Sequence, residues 1–161
     1  MKPDLIDRLF AQYYNDALLY TLSLCHDRTE AEDIVSTAFY KALLSPDEEI
    51  RSFKPWLLAV CRNEYVSLCR RKKPLALEEL TAEPAEESRM LEQIIQREEY
   101  RALYRALELL KEPQREVILL FYFSSLPVRD IAAVTGHSES GVKVLLFRGR
   151  EKLKQLMEED V

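Results

Sequence analysis

Lys143, Arg148, Arg150, Lys152 and Lys154 fall within twelve residues near the C-terminal end of this chain. Cations at that density neutralise phosphates and donate to the edges of bases. Ser138 and Ser140 come just before them. Ser138 is of the type that caps a helix, and a helix N-terminus offers free N–H groups to a phosphate. Val144 and Phe147 sit among the cations, where apolar side chains can meet thymine methyl groups. The candidate nucleic-acid contacts are therefore Ser138, Ser140, Lys143, Val144, Phe147, Arg148 and Arg150. The plainer alternative is an amphipathic helix with a solvated basic face.

A second constellation lies in Phe53 to Lys73, FKPWLLAVCRNEYVSLCRRKK. Its apolar stripe leaves Arg62, Asn63, Arg70, Arg71, Lys72 and Lys73 free for solvent or for a strand of nucleic acid. Trp56 and Tyr65 stand beside them as surfaces on which unstacked bases can lie, although the place of Trp56 in the stripe favours the core. A third constellation, AEDIVSTAFYKAL from Ala31 to Leu43, has an apolar face wider than one packing stripe needs. Phe39 and Tyr40 adjoin, so one of them is expected outward, on a protein-docking surface. An ordinary core helix fits that pattern equally well.

Catalytic signatures are missing. There is no P-loop, no GxSxG, no HExxH and no dinucleotide fingerprint, so the chain reads as a non-enzyme without cofactor or metal. Cys61 and Cys69, eight residues apart, form a redox or metal pair with His26 only on the sharpest reading. Small buried hydrophobes in a reducing compartment are the simpler one.

The elements that must carry these residues are helices. Only three glycines occur in 161 residues, and 47% of the residues are hydrophobic, which points to an all-α chain. Leu5, Leu9, Tyr13, Ala17, Tyr20 and Leu24 mark one face of a helix over about Asp4 to Ser23. Thr29 three residues before Glu32 reads as a capping box. Ile34, Val35, Ala38, Phe39, Ala42 and Leu43 form the face behind it. Ser45-Pro46-Asp47 stops that helix. A third begins near Phe53, with Trp56, Leu57, Val60, Cys61 and Leu68 inward. Arg89 to Leu110 is helical again, through Leu91, Ile94, Ile95, Leu103, Leu107 and Leu110. Pro113 suits the first position of a helix running to about Phe123. Val128 to Thr135, a turn at Gly136-His137-Ser138, and a long helix from Glu139 have the layout of a helix-turn-helix. In the last helix Val142, Leu145, Leu146, Gly149, Leu153 and Leu156 form the packing stripe.

The net charge of −5 conceals a segregation. Residues 1–73 carry 11 basic and 11 acidic side chains, residues 74–99 carry two and eight, and residues 100–161 carry ten and nine. Acid is concentrated between two modules that are close to neutral overall, so the expected organisation is two small helical domains, 1–73 and 96–161, on a flexible acidic linker, 74–95. No apolar run is long enough to cross a membrane, and the N-terminus has no cleavable signal pattern. The expected location is cytoplasmic.

At these residues the chain resembles the extracytoplasmic-function (ECF) sigma factors of the sigma-70 family, promoter-specificity subunits of bacterial RNA polymerase. AEDIVSTAFYKAL is similar to the family's region 2.2, FKPWLLAVCRNEYVSLCRRKK to regions 2.3 and 2.4, and Leu110 to Leu153 to region 4. The resemblance implies that Asp33, Ile34, Phe39 and Lys41 dock on the polymerase β′ clamp helices. It implies that Arg62, Asn63, Arg70, Arg71, Lys72 and Lys73 serve the −10 element, and that the last helix reads the −35 element. Core RNA polymerase, through β′ clamp and β flap, promoter DNA and an anti-sigma factor are the implied partners. An anti-sigma factor would also be the route by which the protein is held at a membrane. Departures from the family pattern at Ser36, Thr37 and Ser67 keep a second reading open, a degenerate relative that titrates an anti-sigma factor. A conventional helix-turn-helix regulator is the third.

Overall fold

The computed structural model describes residues 1–46, 52–72 and 98–159, and every regular element among them is a helix. Residues 47–51 of the loop, Lys73, the acidic linker and the expected helical positions Leu91, Ile94 and Ile95 lie outside the described residues. The chain forms two compact units, Met1–Ala85 and Glu86–Val161.

In the first unit α1 spans Pro3–Cys25, with Pro3 in its opening turn and Asp4 beside the positive end of the helix dipole. It ends where His26 adopts a left-handed conformation, φ 55°, and its N–H bonds to Leu22 O at 2.9 Å. α2, Arg28–Leu44, starts earlier than the capping-box signature implied. Asp27 is the N-cap, and its carboxylate accepts from the Glu30 N–H at 3.2 Å. The turn at His26 delivers the chain into Asp27 in extended geometry, so Thr29 is already inside the helix. Glu32, instead of reaching back to a cap, accepts from Arg28 one turn away at 3.0 Å. Loss of the Asp27 cap would cost about 1 kcal/mol. Ser45 closes α2, its hydroxyl donating to Lys41 O at 2.8 Å, and is extended ahead of Pro46. α3 spans Phe53–Lys72 with Pro55 in its first turn.

Each of these three helices packs on the other two. Ala17, Tyr20 and Leu24 of α1, Ala31, Val35, Ala38 and Ala42 of α2, and Leu57, Leu58 and Cys61 of α3 make the core. Three alanines and a valine at helical spacing on α2 let its neighbours approach closely. Leu57 and Leu58 are fully buried, worth about 2 kcal/mol each. The expected stripes fade at their ends. Leu5 and Leu43 are exposed, because α1 is buried only from Ala17 onward and Leu43 lies at the outer edge of α2. Trp56, Val60 and Leu68 are half-buried rather than central, and Leu58 takes the inner place.

The second unit contains α4 (Glu98–Glu108), α5 (Glu112–Ile118), a π-helical turn (Leu119–Phe123), α6 (Val128–Thr135) and α7 (Glu139–Glu159). Pro113 lies in the first turn of α5, as its fixed φ favours. Buried Arg115 donates from Nη1 to Glu108 O at 3.3 Å and Leu110 O at 3.5 Å, closing the end of α4. The helix expected to continue to Phe123 widens at Leu119. Ser124 N–H bonds to Leu119 O and Leu126 N–H to Leu120 O, both at 3.0 Å, and Ser125 is left-handed with φ 57°. α6 ends at Gly136, whose φ of 83° an L-residue would adopt only under strain. α7 packs against α4, α5 and α6. Gly149 permits a close approach to α5, since a Cβ there would collide with Ile118 Cδ1.

Candidate nucleic-acid interface

Three local hydrogen bonds and a glycine set the start of α7. Thr135 Oγ1 donates to Ile131 O at 2.8 Å and accepts from the His137 N–H at 3.3 Å. Ser138 Oγ accepts from the Gly141 N–H at 3.0 Å, the cap that the sequence implied. Beyond the cap the helix divides cleanly. Val142, Leu146 and Gly149 are buried against the unit, and Leu145, Leu153 and Leu156 are half-buried. Ser140, Lys143, Val144, Phe147 and Arg148 are exposed on the other side. Phe147 is 64% exposed and Val144 46%, a large apolar area for solvent-facing positions flanked by cations.

Beside Phe147 and Arg148 lies an open depression of about 600 Å³ lined also by Leu109, Lys111, Gln114, Glu151, Lys152 and Gln155. Lys111 and Gln114 escaped the sequence reading. They precede α7 by some thirty residues, and only the packing of α5 on α7 brings them near it.

Arg150, also expected among the DNA contacts, is exposed and engages its own unit. Its Nε donates to the Tyr122 hydroxyl at 2.6 Å, and its guanidinium carbon lies 5.5 Å and 5.6 Å from the ring centres of Tyr122 and Phe121. The side chain rests on the outer face of the π-helical turn.

In the first unit, α3 holds Asn63, Arg70, Arg71 and Lys72 exposed, with Arg62 half-buried. Lys73 lies outside the described residues. Lys72 pairs with Glu30, and Lys41 with Glu64, so two cations expected to meet partners are held across the α2–α3 seam. Their lysine side chains are 51% and 52% exposed, which keeps each pair at or below about 1 kcal/mol and open to exchange. Asp33 is exposed and lines a depression of about 300 Å³ with Glu30, Ile34, Thr37, Glu64, Leu68 and Arg71. Ile34 and Phe39, expected on the docking face, are buried instead at 6% and 5% exposure. Phe39 is held between Phe10 and Phe53, with ring centres 4.9 Å and 5.9 Å away. Tyr40 and Leu44 take the outward places, 61% and 66% exposed.

The cysteines do not form a pair. Cys61 is buried and Cys69 exposed. Desolvation pushes the Cys61 thiol up to about 12, partly opposed by the Thr21 hydroxyl beside it and reinforced by the Glu64 carboxylate. Among the described residues no helix is long and apolar enough to cross a membrane.

Two family models match this chain. Sigma-70 region 2 matches residues 9–74 and sigma-70 region 4 matches residues 100–153. The ECF RNA polymerase sigma factor SigM of Bacillus subtilis is 28% identical over 153 residues, covering 94% of each chain. RNA polymerase sigma factor YlaC of the same organism is 27% identical and covers 96% of this chain and 92% of its own. The fold is that of the sigma factor RpoE solved with the anti-sigma factor NepR from Bartonella quintana. That match has a TM-score of 0.73 and 23% identity, and covers 96% of this chain and 98% of the other.

Proposed function

The chain belongs to the ECF group of the sigma-70 family, and on that premise we propose how its two units divide the work of a promoter-specificity subunit of RNA polymerase. Residues 1–73, within the first unit, dock on the β′ clamp of core polymerase and serve the −10 element. Asp33, Tyr40 and Lys41 offer the docking contacts, with Ile34 and Phe39 supporting them from the core. Arg62, Asn63, Arg70, Arg71, Lys72 and Lys73 follow the non-template strand. Residues 96–161, within the second unit, meet the β flap and read the −35 element through Ser138, Ser140, Lys143, Val144, Phe147 and Arg148. Residues 74–95 are the connection between the units.

Opening a promoter by this route needs no catalytic residue. Binding energy for unstacked bases offsets the cost of unpairing them. RpoE was solved with its anti-sigma factor NepR, and CnrH with the cytosolic domain of CnrY. This chain takes an anti-sigma partner in the same way, and that partner determines whether it is held at a membrane or free in the cytoplasm.

The observation that carries this reading is the presence of both regions, in family order, at 9–74 and 100–153 of one chain. Run-off transcription tests it, with core RNA polymerase and a pool of promoter fragments from the source genome. New defined transcripts that depend on this protein are the expected result. No transcript together with no binding to core polymerase would overturn the reading.

A further inference from the structure

Gly149 and Arg150 fix α7 at two successive points. Gly149 lies against Ile118 of α5, and Arg150 against the π-helical turn that follows it. The first contact is apolar and short, and it sets how close the helix comes. The second is polar and directional, and it sets how the helix is rotated.

The directional contact is built for a guanidinium. One edge bonds the Tyr122 hydroxyl, while the cation lies over the rings of both Phe121 and Tyr122. Those rings meet at an interplanar angle of 79° with centres 5.0 Å apart, forming a corner. The wide turn at Leu119–Phe123 brings two consecutive aromatic side chains to a single cation. A lysine ammonium has no planar edge with which to engage both at once.

Arg150 follows Phe147 by three residues and Lys143 by seven, so all three lie on one side of α7. A rotation of the helix at Arg150 therefore moves Lys143, Val144 and Phe147 together. We propose that Arg150 is a positioning residue: with Tyr122 it locks α7 to the π-helical turn and sets the angle at which Lys143, Val144 and Phe147 meet the −35 element. The proposal rests on the promoter-reading role assigned above to α7.

The test uses the full chain and the variants Tyr122→Phe, Arg150→Ala and their combination. Each is bound to a duplex promoter fragment recovered by run-off transcription, and to the same fragment with its −35 element scrambled, over a salt series. Tyr122→Phe keeps the ring and removes only the hydrogen-bond acceptor, so its fold is preserved, and a thermal melt checks this. Both single variants are expected to lose about tenfold in the ratio of specific to scrambled binding. The double variant is expected to lose no more than Arg150→Ala, and the salt slope is expected to stay unchanged in all three. A salt slope lower by about one in Arg150→Ala, with Tyr122→Phe like wild type, would overturn the proposal and make Arg150 a phosphate contact. Unchanged discrimination in both variants would overturn it too. A wild-type protein that cannot tell the two fragments apart would instead refute the promoter-reading role, and the positioning role with it.

Discussion

A cation on a DNA-facing helix contributes either a displaced counterion or a fixed geometry, and salt separates the two. Arg148 is exposed and borders an open depression that also holds Lys111 and Lys152. Assigned to a phosphate, it should show as a counterion. Arg148→Ala is expected to weaken promoter binding across all sequences and to lower the slope of log K against log salt by about one. An unchanged slope in a filter-binding series would remove Arg148 from that role. Cys61 is a residue whose environment suppresses its chemistry. Its ordinary value is 9.0 and burial takes it to about 12, so at neutral pH the folded protein holds almost no thiolate there. A thiol reagent at pH 8 is expected to label exposed Cys69 readily and Cys61 only on unfolding. The linkage has a definite sign. Above pH 9 the unfolded chain loses the Cys61 proton while the folded chain keeps it to about 12. Its stabilising contribution is therefore complete below pH 9 and falls by about 1.4 kcal/mol per pH unit above it. Chemical denaturation of wild type and Cys61→Ala from pH 8 to 11 measures this. Parallel curves would show that Cys61 does not titrate as its burial requires.

At the scale of elements, the seating of α7 depends on one absent side chain. A methyl at residue 149 would meet Ile118 Cδ1 inside van der Waals range. Gly149→Ala is therefore expected to destabilise the protein by about 1 to 3 kcal/mol through overpacking, despite alanine's better helix propensity. Adding Ile118→Val, which removes the clashing methyl, should recover part of that loss. A thermal melt of the single and double variants checks it, and a Gly149→Ala protein as stable as wild type would show that the approach is looser than described. How far these elements could be read beforehand depended on the kind of signal each carries. α6 and the turn at Gly136 were legible because apolar spacing and a left-handed glycine are both local. The π-helical turn was not. Its residues, LLFYF, continue the apolar run without a glycine or proline, and the widening becomes visible only through the bond from Ser124 N–H to Leu119 O. The start of α2 is not legible locally, because Asp27 and Thr29 are both good caps and the turn at His26 decides between them. Charge alone groups Arg150 with the neighbouring cations, while its bond to Tyr122 spans 28 residues. Periodicity could show that the face around Phe39 and Tyr40 was too wide, but only packing against Phe10 and Phe53 shows which ring turns inward.

For the whole molecule, charge poses the remaining question, since a chain of net −5 must approach a polyanion. Its basic helix faces act only at short range, because an exposed charge is screened beyond about 8 Å at physiological salt. At low salt the reach is longer and the acidic segment is felt at the same distance as the cations. Six of its glutamates, Glu78, Glu79, Glu83, Glu86, Glu87 and Glu92, lie between residues 74 and 97. Changing all six to glutamine would take the net charge from −5 to +1. The neutralised variant is expected to bind a scrambled duplex about tenfold more tightly near 0.01 M salt, with the difference shrinking toward about 0.15 M. Sequence-independent binding gains most from a change of net charge, so the ratio of promoter to scrambled binding should fall. In this account the acid keeps the free protein off random DNA, so that its promoter contacts decide where it binds. Fluorescence anisotropy on a labelled scrambled duplex, at both salt concentrations, measures the effect. Equal affinities of the two proteins at low salt would mean that the acidic segment does not restrain DNA binding.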